Sequence, residues 1–223
     1  SSVFSIIGLF ALAAVDGPLV WLAFVFYAVG QTFYWPTVLG FVSEQFPKGG
    51  AMTLNTVSAM GLLTVGIFGF SYLGSAKDKF TTIHAETGNP ALMAKVKAEK
   101  IGFENKAGET QQIVTEGNFF GVAFQATNIP ELTKLMAAPE GADEAAKTKA
   151  NEEIAAFTQD VDNKTGRSVL RVAASLPIIM AIAFGLMLVY YKSIGGYKPV
   201  KLLDGSDNKH TNPEGEAIPG VEL

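Results

Sequence analysis

The sequence predicts an all-α membrane protein with four transmembrane helices, the first of them truncated, and a helical extracytoplasmic insert between the last two. Residues 1–76 contain only three charged side chains, Asp16, Glu44 and Lys48. They leave 27 uncharged residues between Asp16 and Glu44 and 28 between Lys48 and Lys77. About 20 apolar residues cross a hydrocarbon core of about 30 Å, so both runs are long enough. A third run of that kind, residues 172–191, lies between Arg171 and Lys192, whereas residues 77–167 are rich in Lys, Glu and Asp. Apolar and polar material is therefore segregated along the chain, and the whole-chain averages, 48% hydrophobic and 17% charged with net charge −4, conceal it. The absence of cysteine excludes disulfides, thiol nucleophiles and Cys-based metal sites.

The first apolar segment, residues 1–15, is too short to cross a bilayer and opens on Ser1, which suggests a helix whose beginning has been cut away. A signal peptide fits poorly, since no basic n-region precedes the segment and no polar mature sequence follows it. Asp16-Gly17-Pro18 stops this helix and places a proline at the start of the next. The first two segments should form a tight antiparallel hairpin. The second segment covers residues 19–42, about 36 Å as a helix, with Trp21 where an amphipathic ring suits the headgroup level. A polar turn at residues 44–50 leads into the third segment, residues 51–74, whose glycines at 61, 66, 69 and 74 permit close helix contact.

Residues 77–167 are too charged to be membrane and are expected to form a partly helical insert. Asn89-Pro90 is a helix cap followed by a first-turn proline, and residues 142–158 carry apolar positions at helical spacing. Phe119, Phe120, Val122 and Phe124 are expected to pack the insert onto itself or onto the outer mouth of the bundle. The last span is placed at residues 168–192, with Pro177 inside it, and residues 193–223 are expected to be a disordered cytoplasmic tail. Lys and Arg concentrate in short cytoplasmic loops, which puts Lys48 and the Lys192, Lys198 and Lys201 cluster inside and Asp16 and the insert outside. A multi-pass protein of the plasma (inner) membrane with a cytoplasmic C-terminus results.

The chemistry lies in the second segment. Tyr27, Gln31 and Tyr34 share a helical face, with Trp35 beside them, and a polar face in hydrocarbon should point into a bundle or a water-filled cavity. It serves either interhelical hydrogen bonding or a solute. Thr32 and Thr37 are read as bonding their own backbone. Pro36 removes a backbone hydrogen bond mid-membrane and should kink the helix, as at a gate. Asn55, in the third segment, is a secondary ligand candidate.

Gly-Gln-Thr-Phe-Tyr-Trp-Pro-Thr-Val-Leu-Gly-Phe-Val-Ser-Glu-Gln-Phe-Pro-Lys-Gly-Gly-Ala, residues 30–51, resembles the tenth helix, cytoplasmic turn and start of the eleventh helix of a major facilitator superfamily transporter. The resemblance extends over residues 1–76 and 168 to about 200. It implies that the four spans are the last four of twelve, and that the helix carrying Gln31, Tyr34 and Trp35 lines the central cavity, with Asn55 secondary. The chain is then the C-terminal part of a secondary-active transporter moving a small polar solute, such as a sugar, by alternating access. Its partners are the bilayer, the solute and the missing N-terminal helices. The connection of about 90 residues departs from that family's usual short loop. The alternative is a non-transporting membrane-anchor subunit whose extracytoplasmic insert binds a partner.

Other chemistries lack their residues. His84 and His210 are isolated from ligand partners, so no metal site is expected. No Walker-type phosphate loop and no nucleophile elbow occurs, so neither an enzyme nor a cofactor is expected. Residues 160–166 begin like a calcium loop, but Lys164 and Thr165 stand where an oxygen ligand and glycine are needed, and the segment is read as a solvated turn. Asn163-Lys164-Thr165 fits a glycosylation pattern. Basic residues are balanced by acids, so no nucleic-acid footprint is visible.

Overall fold

The computed structural model describes residues 1–105 and 107–200. Three helical stretches are long and apolar enough to cross a membrane: Leu19–Gln45, Pro47–Gly88 and Glu144–Ser193. The chain is that of a membrane protein. Ahead of these lies α1 (Ser2–Leu12), apolar but only 11 residues long.

Helix α1 turns at Gly17, whose φ of +64° lies in the left-handed region that glycine tolerates, and packs antiparallel on α2 (Leu19–Thr32). Two glycines set the spacing. A Cβ at Gly8 would lie 2.4 Å from the Tyr27 amide nitrogen, and one at Gly30 would lie 2.3 Å from Ser5 Oγ. Backbone meets backbone here, as small residues allow in membrane helix pairs. Phe4 stacks on Phe26 beside the crossing, with ring centroids 5.9 Å apart.

The second span breaks at Phe33 and continues as α3 (Tyr34–Gln45). Pro36 explains the position: it has no N–H for the Thr32 carbonyl and its ring crowds that carbonyl. The last apolar segment repeats the arrangement. Helix α8 (Glu144–Ala173) and α9 (Ser175–Ser193) meet at Ala174, three residues before Pro177. The sequence reading placed the ends of these spans at residues 42 and 192, close to what is observed.

A short 3-10 turn, Pro47–Gly49, leads into α4 (Gly50–Thr64), which widens to a π-helical stretch at Val65–Gly69 and continues as α5 (Phe70–Gly88). The helix of the third segment therefore does not stop at residue 74. Nothing in Lys77, Asp78 or Lys79 breaks a helix, so the chain runs out of its apolar stretch without changing secondary structure. Helix α8 does the same in reverse, and residues 160–166, read from sequence as a turn, are helical with Thr165 buried.

Between α5 and α8 the insert is helical only in part. Helix α6 (Pro90–Ala98) opens with the expected cap, the Leu92 N–H donating to Asn89 Oδ1 at 3.2 Å. Helix α7 (Ile129–Lys134) is capped in the same way by Asn128. Residues between them correct the expectation of a helical insert: β1 (Gly102–Glu104) pairs antiparallel with β2 (Thr110–Gln112), and β3 (Val114–Phe119) with β4 (Val122–Thr127). Gly117, opposite Phe124, lets that ring lie across it; a Cβ there would meet the ring at 2.5 Å. The insert's core is apolar and continuous: Ala85, Met93, Val96, Ile113, Ile129, Leu132, Phe157 and Val161. Buried Thr82 ties β4 to α5 by donating to the Gln125 carbonyl at 2.8 Å.

Two sets of contacts divide the ends of the spans into two sides. Arg167 on α8 bonds Asp16 in the first turn. At the opposite end Tyr197 donates to the Glu44 carboxylate, Gln45 donates to the Lys198 carbonyl at 3.2 Å, and the Val200 N–H donates to the Glu44 carbonyl at 2.9 Å. The sequence reading gave residues 193–223 to a disordered tail, but residues up to 200 are docked: Tyr197 packs edge-on to Tyr191, with centroids 5.2 Å apart. Residues 201–223 of that tail lie outside the described residues.

Candidate functional site

Helical spacing sets the five proposed solute residues along the second and third spans. Tyr27 on α2 sits behind Gly8 of α1 and is half-buried by it. One turn on, Gln31 is exposed. After the break, Tyr34 is half-buried, and its hydroxyl oxygen is buried with no hydrogen-bond partner among the described residues. Trp35 faces α4, where a Cβ at Gly61 would lie 3.5 Å from Trp35 Cζ3. Asn55 on α4 is exposed. The structure thus brings Trp35 to the third span and Tyr27 to the first, and it leaves the two amides, Gln31 and Asn55, on exposed surface.

The hydroxyls nearby are satisfied locally. Thr32 donates to the Ala28 carbonyl at 2.9 Å and Thr37 to the Phe33 carbonyl at 2.6 Å, the back-bonding expected from sequence. Thr56 and Ser58 on α4 donate to Met52 and Leu54 in the same way, each at 2.8 Å. What remains for a ligand is uncharged: two amides, two phenols and an indole. Such groups hydrogen-bond and stack on a neutral polar molecule, and an exposed amide in an apolar span requires a protein or water partner.

A second concave region escaped the sequence reading. Between the third and fourth spans, at the end nearest the insert, a hollow of about 430 Å³ is lined by Phe68, Tyr72, Phe119, Phe120, Ser175 and Ile179 among others. The aromatic cluster at residues 119–124 was the signal for it, and its destination is now resolved: Phe120 stacks on Phe68 with centroids 5.4 Å apart, and Phe119 lies 6.2 Å from Tyr72.

Compared with known proteins, the chain matches no family model, no curated protein and no solved structure. The arrangement of side chains is therefore what bears on function. Among the described residues no group of three His, Asp or Glu side chains is placed to hold a metal ion. His84 is occupied otherwise: its Nε2 lies 3.1 Å from Ser168 Oγ and its ring stacks on Phe80. Burial pushes the His84 pKa down, Lys164 pushes it the same way, and Asp160 opposes them.

Proposed function

We propose that this chain is the C-terminal part of a secondary-active transporter of the major facilitator type, contributing its last four membrane helices. In this reading the second span lines a central cavity and alternating access carries a small neutral polar solute, such as a sugar, across the plasma membrane. The observation that carries it is the face of Gln31, Tyr34 and Trp35 set beside the break at Phe33. Side chains able to hydrogen-bond and stack are there joined to a helix interrupted at Phe33, and discontinuous helices of this kind form the binding sites of many transporters. Large apolar side chains exposed along all four segments, among them Trp21, Leu62, Ile67 and Leu188, support a larger bundle and a lipid envelope around this piece.

The orientation proposed from Lys48 and the lysines after residue 191 places the Glu44 and Tyr197 contact in the cytoplasm and the Asp16 and Arg167 contact outside. Uptake by the full-length protein, reconstituted in liposomes, tests the assignment. Gln31→Ala and Tyr34→Ala should each lower uptake of the transported solute, and unchanged kinetics in both would remove them from the cavity.

One observation favours a second reading, a membrane anchor whose insert binds a partner. The insert has its own apolar core and a polar hollow of about 680 Å³ bordered by Lys97, Gln111 and Gln125. Under that reading no solute uptake is found, and deletion of residues 102–127 abolishes partner capture while the spans still insert.

A further inference from the structure

The hollow between the third and fourth spans is built from two irregularities that face each other. On one side α4 and α5 are joined through the π-helical stretch Val65–Gly69. On the other the helix breaks at Ala174, ahead of Pro177. Neither is needed to cross a membrane, and single π turns in helices are concentrated at functional sites. The tip of the β3–β4 hairpin descends onto this gap.

That tip is held at a conformational cost. Phe120 and Gly121 have φ of +49° and +84°, the two positive values of a type I′ turn. Glycine or asparagine suits the first of these positions, whereas a bulky residue with positive φ is an outlier. The phenyl ring at position 120 is therefore placed where backbone preference argues against it. It stacks on Phe68 on one side, yet Phe120 remains 74% exposed and Val122 62% exposed. The tip thus sets an apolar ring beside the membrane-spanning helices and open to their surroundings.

The polarity of the gap is graded. Its apolar walls are Phe68, Phe120, Leu176 and Ile179. Its two hydroxyls, Tyr72 Oη and Ser175 Oγ, bond each other at 3.1 Å and so leave no strong demand for a polar ligand. Tyr72 and Phe119 also border a second, smaller hollow of about 180 Å³, which Ser75 and Lys79 line on its other side. Lys79 is exposed and forms no salt bridge among the described residues. The Ser75 hydroxyl donates to the Tyr72 carbonyl at 2.9 Å, which leaves the Lys79 ammonium as the group for an anion. An apolar slot beside an ammonium has the order of groups found in a lipid, tail first and phosphate last.

We propose that this groove binds one anionic glycerophospholipid from the leaflet on the insert side, with an acyl chain between Phe120 and Ile179 and the phosphate at Lys79. The hairpin tip closes the groove over the chain. The site depends on the membrane-spanning arrangement and not on what the protein transports, so it stands or falls separately from the transporter reading.

Native mass spectrometry of the full-length protein in mild detergent tests it, with phosphatidylglycerol and phosphatidylcholine of identical chains supplied in competition. The expected result is one retained phosphatidylglycerol in preference to phosphatidylcholine. Lys79→Ala should cut that preference about fivefold, the effect of one interfacial lysine, while Lys95→Ala on α6 leaves it unchanged. Ile179→Trp fills the apolar slot at an exposed position and should reduce retention of both lipids, with the protein still monodisperse in size-exclusion chromatography. Equal retention of the two lipids by the unaltered protein, or an unchanged lipid profile in both Lys79→Ala and Ile179→Trp, overturns the proposal.

Discussion

The guanidinium of Arg167, on the stem of α8, donates a hydrogen bond to the carboxylate of Asp16 in the turn between α1 and α2. The pair joins the first turn of the chain to the entrance of its last span, 151 residues later. It also fixes which ends of the spans lie on the same side. Both side chains are well exposed, Asp16 at 79%, so the pair is worth about 1 kcal/mol at most.

Its value is geometric, and that can be measured. The sequence has no cysteine, so a double variant, Asp16→Cys with Arg167→Cys, reports on this pair alone. Mild oxidation of the membrane-embedded protein should crosslink the two positions, visible as a mobility shift that a reductant reverses. Asp16→Cys paired instead with a cysteine at Tyr197 should stay uncrosslinked. Crosslinking of that second pair would contradict the two-sided arrangement.

Glycine sets the α1–α2 spacing, and larger side chains there should be costly. Gly8→Val and Gly30→Val force the helices apart against Tyr27 and Ser5, for which overpacking penalties of about 1–3 kcal/mol are typical. Gly40 has open space around its would-be Cβ, so Gly40→Val serves as the control. Thermal inactivation followed by size-exclusion chromatography should rank Gly8→Val and Gly30→Val well below Gly40→Val.

Truncation of the insert's core should loosen the hairpins without disturbing the spans. Leu132 and Met93 are almost wholly inaccessible, at 0% and 1%. Leu132→Ala and Met93→Ala should each cost about 2–5 kcal/mol of local stability. Hydrogen exchange in β3 and β4 should accelerate accordingly, while amides of α2 and α9 keep their protection. Equal acceleration everywhere would show that insert and spans unfold as one unit.

The insert should lose stability in mild acid through His84. Its pKa is depressed in the folded state, chiefly by burial, against about 6.5 in an unfolded chain. Between those two values the folded state binds fewer protons than the unfolded one, so stability rises with pH through that window and is lost as pH falls below about 6.5. Asp78 acts in the opposite sense in a lower window, because burial raises its pKa although Lys77 counteracts that. Hydrogen exchange corrected for intrinsic rates should show α5 and α8 opening more readily at pH 5.5 than at 7.5. His84→Gln should flatten this difference, and an undiminished response would rule the histidine out.

The spans were legible because their signals are local and strong. Charge-free runs, Asp16-Gly17-Pro18 and Asn89-Pro90 each act within a few residues, and the helix ends follow them closely. Pro36 announced a kink, and crowding of the Thr32 carbonyl placed the break at Phe33, three residues earlier. The hairpins were not legible: Thr110–Gln112 and Gly102–Glu104 are three-residue strands without alternation, and the β3–β4 turn has Phe120 where the usual signal is Asn or Gly. Persistence of the third span's helix beyond residue 74 was hidden because polarity marks where the membrane ends, not where a helix does. The face of Gln31, Tyr34 and Trp35 was readable as chemistry, but the exposure of Gln31 depends on what packs beside it, which spacing within one helix does not encode.

Because α5 and α8 continue from the spans without an interruption of secondary structure beyond the break at Ala174, the insert is mounted on two rigid arms. The arm from the π-helical stretch at Val65–Gly69 to the end of α5 is 19 residues, about 28 Å long. A tilt of roughly ten degrees at its base sweeps its far end through about 5 Å, by the length of a helix of that many residues. The insert is thus a pointer on a dial. A pair of spectroscopic labels, one on α6 and one in the turn between α1 and α2, would read out, from the aqueous side, rearrangements taking place within the bilayer.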